Sequence, residues 1–212
     1  VRDRKGRVNV TKGLRLGVLL ALALPGFVHA GQVAQAASPD GRIVVQLELD
    51  GEGRLAYRVL RDGKPVVGDS RLGFIFRNGR QLLRGLQLEN QATRRAGAEQ
   101  RTHDETWEQP WGERRFVRDH HNELRASFVE KDHDRRRFDM VFRVFDDGVG
   151  FRYDVPAQPK LAEAQIVQEL TEFAIARPAT AWWIPAFEWN REEYLYHRTP
   201  LAEIGVAQTP IT

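Results

Sequence analysis

Cysteine is absent from the 212-residue sequence, and methionine occurs once, as Met140. The first absence excludes disulfides, thiolate metal sites, a cysteine nucleophile and a lipid anchor on cysteine. No phosphate loop, dinucleotide fingerprint or His-Glu-x-x-His pattern is present, so nucleotide chemistry and a common zinc-hydrolase arrangement have no support. Long apolar runs are also missing. The longest, Leu16–Val28, has 13 residues, whereas a membrane-spanning helix needs about 20. The body of the chain lacks an excess of either charge. The net charge is +3, but residues 1–30 hold six basic groups (Arg2, Arg4, Lys5, Arg7, Lys12, Arg15) against Asp3. The remainder carries 26 basic and 28 acidic side chains, which removes the electrostatic argument for a nucleic-acid partner.

What is present begins with that basic start. It leads into the short apolar run and then into small residues, at Val28-His29-Ala30 and again at Ala34-Gln35-Ala36. This order reads as a secretory signal over residues 1–30, cleaved near 30 or 36. Residues 31–37 read as a linker, and 38–212 as the folded body. The mature protein is expected in the periplasm or outside the cell, with no membrane span once the signal is removed.

The body alternates with a period of two. Val45, Leu47 and Leu49 interleave with Val44, Gln46 and Glu48, and after Asp50-Gly51 the pattern resumes at Leu55, Tyr57 and Val59. Asp62-Gly63, Asn78-Gly79 and Asp146-Asp147-Gly148 mark hairpin turns. Phe138, Met140, Phe142 and Val144 alternate before the last of these, and Val149, Phe151 and Tyr153 after it. The segments 165–176 and 181–186 read as further extended pieces, with helical ambiguity only at 161–168. Residues 93–105 read as an exposed loop. Many short strands between turn residues predict an all-β, antiparallel sandwich or barrel and not an α/β fold.

Two segments carry candidate chemistry. Thr106–Glu113, TWEQPWGE, sets two tryptophans and two glutamates around a Pro-Trp-Gly turn, and Trp107, Glu108 and Trp111 are the candidate substrate contacts. Indole faces stack on sugar rings while carboxylates accept their hydroxyls; the alternative is a loop anchored on its own sandwich. Trp182–Leu201 combines Trp182, Trp183, Trp189, Tyr194 and Tyr196 with Glu188, Glu192 and Glu193. Carboxylates among aromatics suit a cation, although calcium needs about six to eight oxygens and one or two glutamates would not suffice. A solvated turn beside an aromatic strand is the other reading. Adjacent His120 and His121 would face opposite sides of a strand and read as a surface turn. KDHDRRR (131–137) reads as a mixed-sign hairpin turn. Glu169 and Glu172, three apart, do not pair on one strand face.

SPDGRIVVQLELDGEGRLAYRV, TWEQPWGE, HHNEL, FRVFDDGVGFRY, QELTEF and EEYLYHRTPLAEI together resemble, in this order, the amino-terminal domain of glycoside hydrolase family 97, over roughly residues 37–212. The resemblance implies a sandwich like that of sugar mutarotases, lacking its last strands here, followed by a (β/α)8 catalytic barrel. It implies hydrolysis of α-glucosides or α-galactosides, an oligosaccharide or α-glycoside substrate, and an active-site calcium ion. Catalytic residues would lie on the barrel, so none is assigned to this chain. The family motif Tyr-Glu-x-Leu-Tyr before Thr-Pro-Leu matches Glu192-Glu193-Tyr194-Leu195-Tyr196, which implies Glu193 as a calcium ligand. Glu192 stands where an aromatic is usual, making it the second choice. A free-standing carbohydrate-binding sandwich, using Trp107, Trp111 and Trp189, is the rival reading. A sandwich epimerase using His103, His120 or His121 is another.

Overall fold

The computed structural model describes residues 31–77, 81–89, 97–132, 134–184 and 195–205. Within them the chain is all-β. Strands β1 (Gln32–Ala37), β2 (Ile43–Leu49), β3 (Leu55–Arg61) and β4 (Lys64–Arg71) form one antiparallel sheet in that order. A second sheet contains β6 (Leu86–Leu88), β7 (Ala98–Glu108), β8 (Phe116–Glu130), β9 (Arg137–Val144) and β10 (Val149–Asp154), ordered β10-β9-β8-β6. The long β8 pairs with β7 through its first part and with β6 at its end, while β9 lies along its other side. Two small ladders join β5 (Phe74–Phe76) to β11 (Ile166–Glu169), and β12 (Thr180–Trp183) to β13 (His197–Pro200).

The alternation in the sequence becomes the core. Val45 and Leu47 on β2, Leu55 and Tyr57 on β3, and Phe138, Met140, Phe142 and Val144 on β9 are all buried. Tyr57 meets Phe142 and Phe151 across the gap between sheets, with centroids 5.9 and 5.2 Å apart. The rings are tilted by 47° and 56°, and inclined aromatic pairs add to the area they bury. The Asp62-Gly63 turn forms as expected, both residues at positive φ (51° and 72°), the requirement of a tight two-residue hairpin. At the preceding turn Gly53, with φ 71°, lies against β6: a Cβ there would stand 2.6 Å from the Leu86 amide nitrogen and carbonyl oxygen. That contact leaves no room for a side chain and stitches the β2–β3 turn to the second sheet.

Several expectations need correction. Residues 32–37, read as linker, form β1 and pair with β2. The stretch 98–105, read as loop, belongs to β7 and pairs residue by residue with β8. Its backbone ladder makes it a strand although all its side chains except His103 are exposed, so no apolar period marks it. His120 and His121, read as a surface turn, lie inside β8. The 161–168 region enters through one 3₁₀ turn, Pro159–Leu161, and only 166–169 of the 165–176 stretch is a named strand. The Asn78-Gly79 turn falls outside the described residues. No helix among the described residues is long and apolar enough to cross a membrane.

Beyond β11, the chain still runs along the first sheet. The amides of Leu170, Glu172, Ala174 and Ala176 donate to the Gly73 carbonyl, the Arg71 carbonyl, the Ser70 hydroxyl and the Val66 carbonyl. This segment covers the β4 edge, which would otherwise present unpaired backbone groups to water.

Candidate functional site

The β7–β8 hairpin carries the first candidate surface. Its tip is closed by the Gln109 amide donating to the Arg115 carbonyl at 2.8 Å and by the Arg115 guanidinium on Glu108 at 2.8 Å. Gly112 turns the chain at φ 138°. Thr106, Trp107 and Glu108 are the last residues of β7, so the run lies partly on a strand. Trp107 and Glu108 consequently project to opposite faces. Trp111 is 85% exposed, and Trp107 and Phe116 about half exposed; Arg115 lies over the Phe116 ring, 5.2 Å from its centroid. The tip thus presents two indoles and a phenyl ring to solvent, while Glu108 is engaged by Arg115.

The second surface is the β12–β13 ladder. Trp183 stacks on His197, centroids 4.8 Å apart, and its indole N–H donates to the Thr199 hydroxyl at 3.1 Å. Arg198 covers the Trp182 ring at 5.5 Å. Trp182, Leu195 and Tyr196 remain exposed. The connection between these two strands holds Glu188, Trp189, Glu192, Glu193 and Tyr194, all of which lie outside the described residues.

A third cluster escaped the sequence reading. Cross-strand register places His103 of β7 directly opposite His121 of β8, and Glu123, two residues further along, shares their face. One potential ligand atom from each lies within 4.8 Å of the others. The signal in the sequence was the pairing of 103 with 121, which becomes visible only once 98–108 is recognised as a strand.

Glu169 and Glu172 serve separate partners, as their spacing predicted. Glu172 accepts from both the backbone amide and the guanidinium of Arg71, and those hydrogen bonds hold its carboxyl below the usual carboxylate range. Glu169 accepts from the Thr171 hydroxyl at 2.5 Å, which also meets the Tyr153 hydroxyl at 3.0 Å. Burial pushes the Tyr153 phenol up to about 12. Glu169 and Thr171 line a shallow groove with Val149, Gly150, Phe151 and Phe173.

Two antiparallel sheets packed on a common core, with exposed aromatic side chains, define a class of fold, and known relatives define the family. Residues 36–212 match the family model described as glycosyl-hydrolase 97 N-terminal, and the chain belongs to that family. It is 33% identical over 202 residues to a probable retaining alpha-galactosidase of Streptomyces bingchenggensis, spanning 92% of this chain and 29% of that protein. A family 97 enzyme of Pseudoalteromonas sp. strain K8, solved in complex with panose, superposes with a TM-score of 0.72 at 38% identity. The match covers 80% of this chain and 25% of that one. The same enzyme with acarbose gives 0.71 and 38%, over 79% and 24%. A β-arabinopyranosidase at 22% identity shares the fold, with a TM-score of 0.66. The chain therefore spans between about a quarter and three tenths of these relatives.

Proposed function

We propose that this chain is the non-catalytic amino-terminal sandwich of a secreted glycoside hydrolase that cleaves α-glucosidic or α-galactosidic bonds. The observation that carries this reading is the family match over 36–212, joined to enzymes that bind panose and acarbose and are about three times as long. In this proposal the sandwich packs on a downstream (β/α)8 barrel. Exposed Phe173, Ile175, Trp182 and Tyr196 supply apolar area of the kind such a contact needs. The β7–β8 tip, through Trp107 and Trp111, walls the oligosaccharide site.

Glu193, or Glu192 as second choice, is proposed to reach a calcium ion at the barrel. The described side chains of β12 and β13 are chiefly indole, imidazole, guanidinium and hydroxyl, a poor set for a hard cation that takes about six to eight oxygens. The chain would therefore contribute one carboxylate to a cage completed elsewhere. Bound calcium would supply electrostatic polarisation near the scissile bond; this chain's part is to hold one acidic side chain in place. Export fits the leader, and cleavage after Ala30 keeps β1 whole, whereas cleavage after Ala36 would divide it.

The test is made in the polypeptide carrying the downstream region. Glu193→Gln is expected to raise the calcium concentration needed for half-maximal hydrolysis of an aryl α-glycoside about tenfold or more, with an unchanged far-ultraviolet spectrum. Unaltered calcium dependence in both Glu193→Gln and Glu192→Gln overturns the assignment. A downstream reading frame encoding no barrel overturns the enzyme reading and favours a free-standing carbohydrate-binding module.

A further inference from the structure

The outer face of the second sheet carries the His103–His121–Glu123 cluster. Its histidine rings stack with centroids 4.7 Å apart and 14° between their planes. His121 is 1% exposed, and Phe145 packs against it from the other side, 4.8 Å between centroids. The Asp119 carboxylate accepts from His121 Nδ1 at 2.5 Å. An ionised carboxylate can only accept a hydrogen bond, so Nδ1 carries the hydrogen, and in the neutral ring Nε2 then holds the lone pair. That Nε2 atom is buried and has no hydrogen-bond partner. A buried acceptor without a donor is rare and asks for an explanation.

The arrangement has the form that metal-ligating histidines take: one ring nitrogen oriented by a carboxylate, the other presented to an ion. We propose that His103, His121 and Glu123 bind a divalent transition-metal ion of zinc type, through two imidazole nitrogens and one carboxylate oxygen. Two nitrogen donors make the site unsuited to calcium, which takes oxygens, and suited to zinc. Arg143 donates to Glu123 Oε2 at 3.1 Å, leaving Oε1 for the ion. Ligand atoms on a tetrahedral ion lie about 3.3 Å apart, so the 4.8 Å spread contracts on binding. His103, the less buried ring, swings out of its stack while Asp119 and Phe145 hold His121. Three protein ligands leave a fourth position for water.

The consequence is a clasp between β7 and β8 midway along the hairpin. Trp107 lies four residues further along the same face of β7, so the ion would stiffen the arm that presents the tip. This proposal is independent of the glycosidase reading.

The experiment uses the untagged chain, stripped of metal with a chelator and titrated with zinc by calorimetry and with cobalt(II) by visible absorption. One equivalent is expected to bind, and excess calcium is expected to leave the signal unchanged. His103→Ala and Glu123→Gln should each weaken zinc binding tenfold or more with an intact β spectrum. Asp119→Asn, which changes the partner that orients His121 and removes no ligand, should weaken it about 10- to 100-fold. Because His121→Ala opens a buried hole, His103→Ala is the deciding variant. Zinc binding that is absent, displaced by calcium, or unchanged in His103→Ala overturns the proposal.

Discussion

Strand β8 crosses two environments in 15 residues. From Ala126 to Glu130 every residue is buried, with Ala126 and Phe128 in the core between the sheets. From Phe116 to His120 none is, and its partner β7 is exposed along nearly its whole length. One half coheres through apolar area, at roughly 25 cal/mol per Å² removed from water. The other coheres through its backbone ladder and solvent-exposed ion pairs such as the two-pronged contact of Arg118 on Asp104, 2.8 Å at each prong. The difference teaches that a strand can be built without a core when its neighbour supplies hydrogen bonds. The part so built is free to carry contact residues.

The sharpest way to break the comparison is in the buried half. Phe142→Ala, on β9 opposite Leu124, removes a side chain that is 0% exposed and should cost about 3–5 kcal/mol in denaturant unfolding. Glu130→Gln removes the carboxylate charge 2.7 Å from the Arg136 guanidinium, whose side chain is only 4% exposed, and should cost about 3 kcal/mol. If this pair were merely superficial, the loss would fall below about 1 kcal/mol. In the exposed half, Trp111→Ala should change stability by about 0.5 kcal/mol or less, while weakening oligosaccharide binding in a protein that carries the barrel. A loss comparable to that of Phe142→Ala would show that the tip is anchored after all.

The smallest effect expected is a pH dependence. Glu172 and Asp154 are held below their ordinary values by hydrogen bonds from Arg71 and Arg152, respectively. Each therefore contributes stability above about pH 4, the unfolded value, that is lost as pH falls through the depressed folded value. Tyr153 works in the opposite sense: raised to about 12 by burial, it favours the fold below about pH 10, and that contribution disappears as pH climbs through its folded value. Denaturation midpoints measured across pH should decline at both ends, and Glu172→Gln should flatten the acid limb slightly. An unfolding midpoint that rises on acidification would contradict the first of these assignments.

The buried half was legible in the sequence and the exposed half was not. Phe138, Met140, Phe142 and Val144 face a core on one side, so hydrophobicity alternates and the strand announces itself. Ala98–Glu108 has water on both faces, so nothing selects apolar residues at every second position. The same blindness concealed His103 beside His121: register across strands is a tertiary fact, and adjacency in sequence pointed instead to His120. Arg136 was read only as part of a charged turn, because its burial depends on Glu130 six residues earlier folding back to meet it. The tryptophans were legible as unusual, yet their exposure belongs to the hairpin's reach, which composition does not encode.

The strip from Leu170 to Ala176 that seals β4 comes from about 100 positions downstream of the residues it bonds, as with Glu172 on Arg71. At about 5–20 residues per second, a ribosome needs roughly 5–20 s to deliver that cover after β4 has been made. Through this interval the nascent first sheet has a sticky border. Escape from misassociation in the cell then depends on how quickly translation proceeds, or on a chaperone that shields the border until its seal arrives.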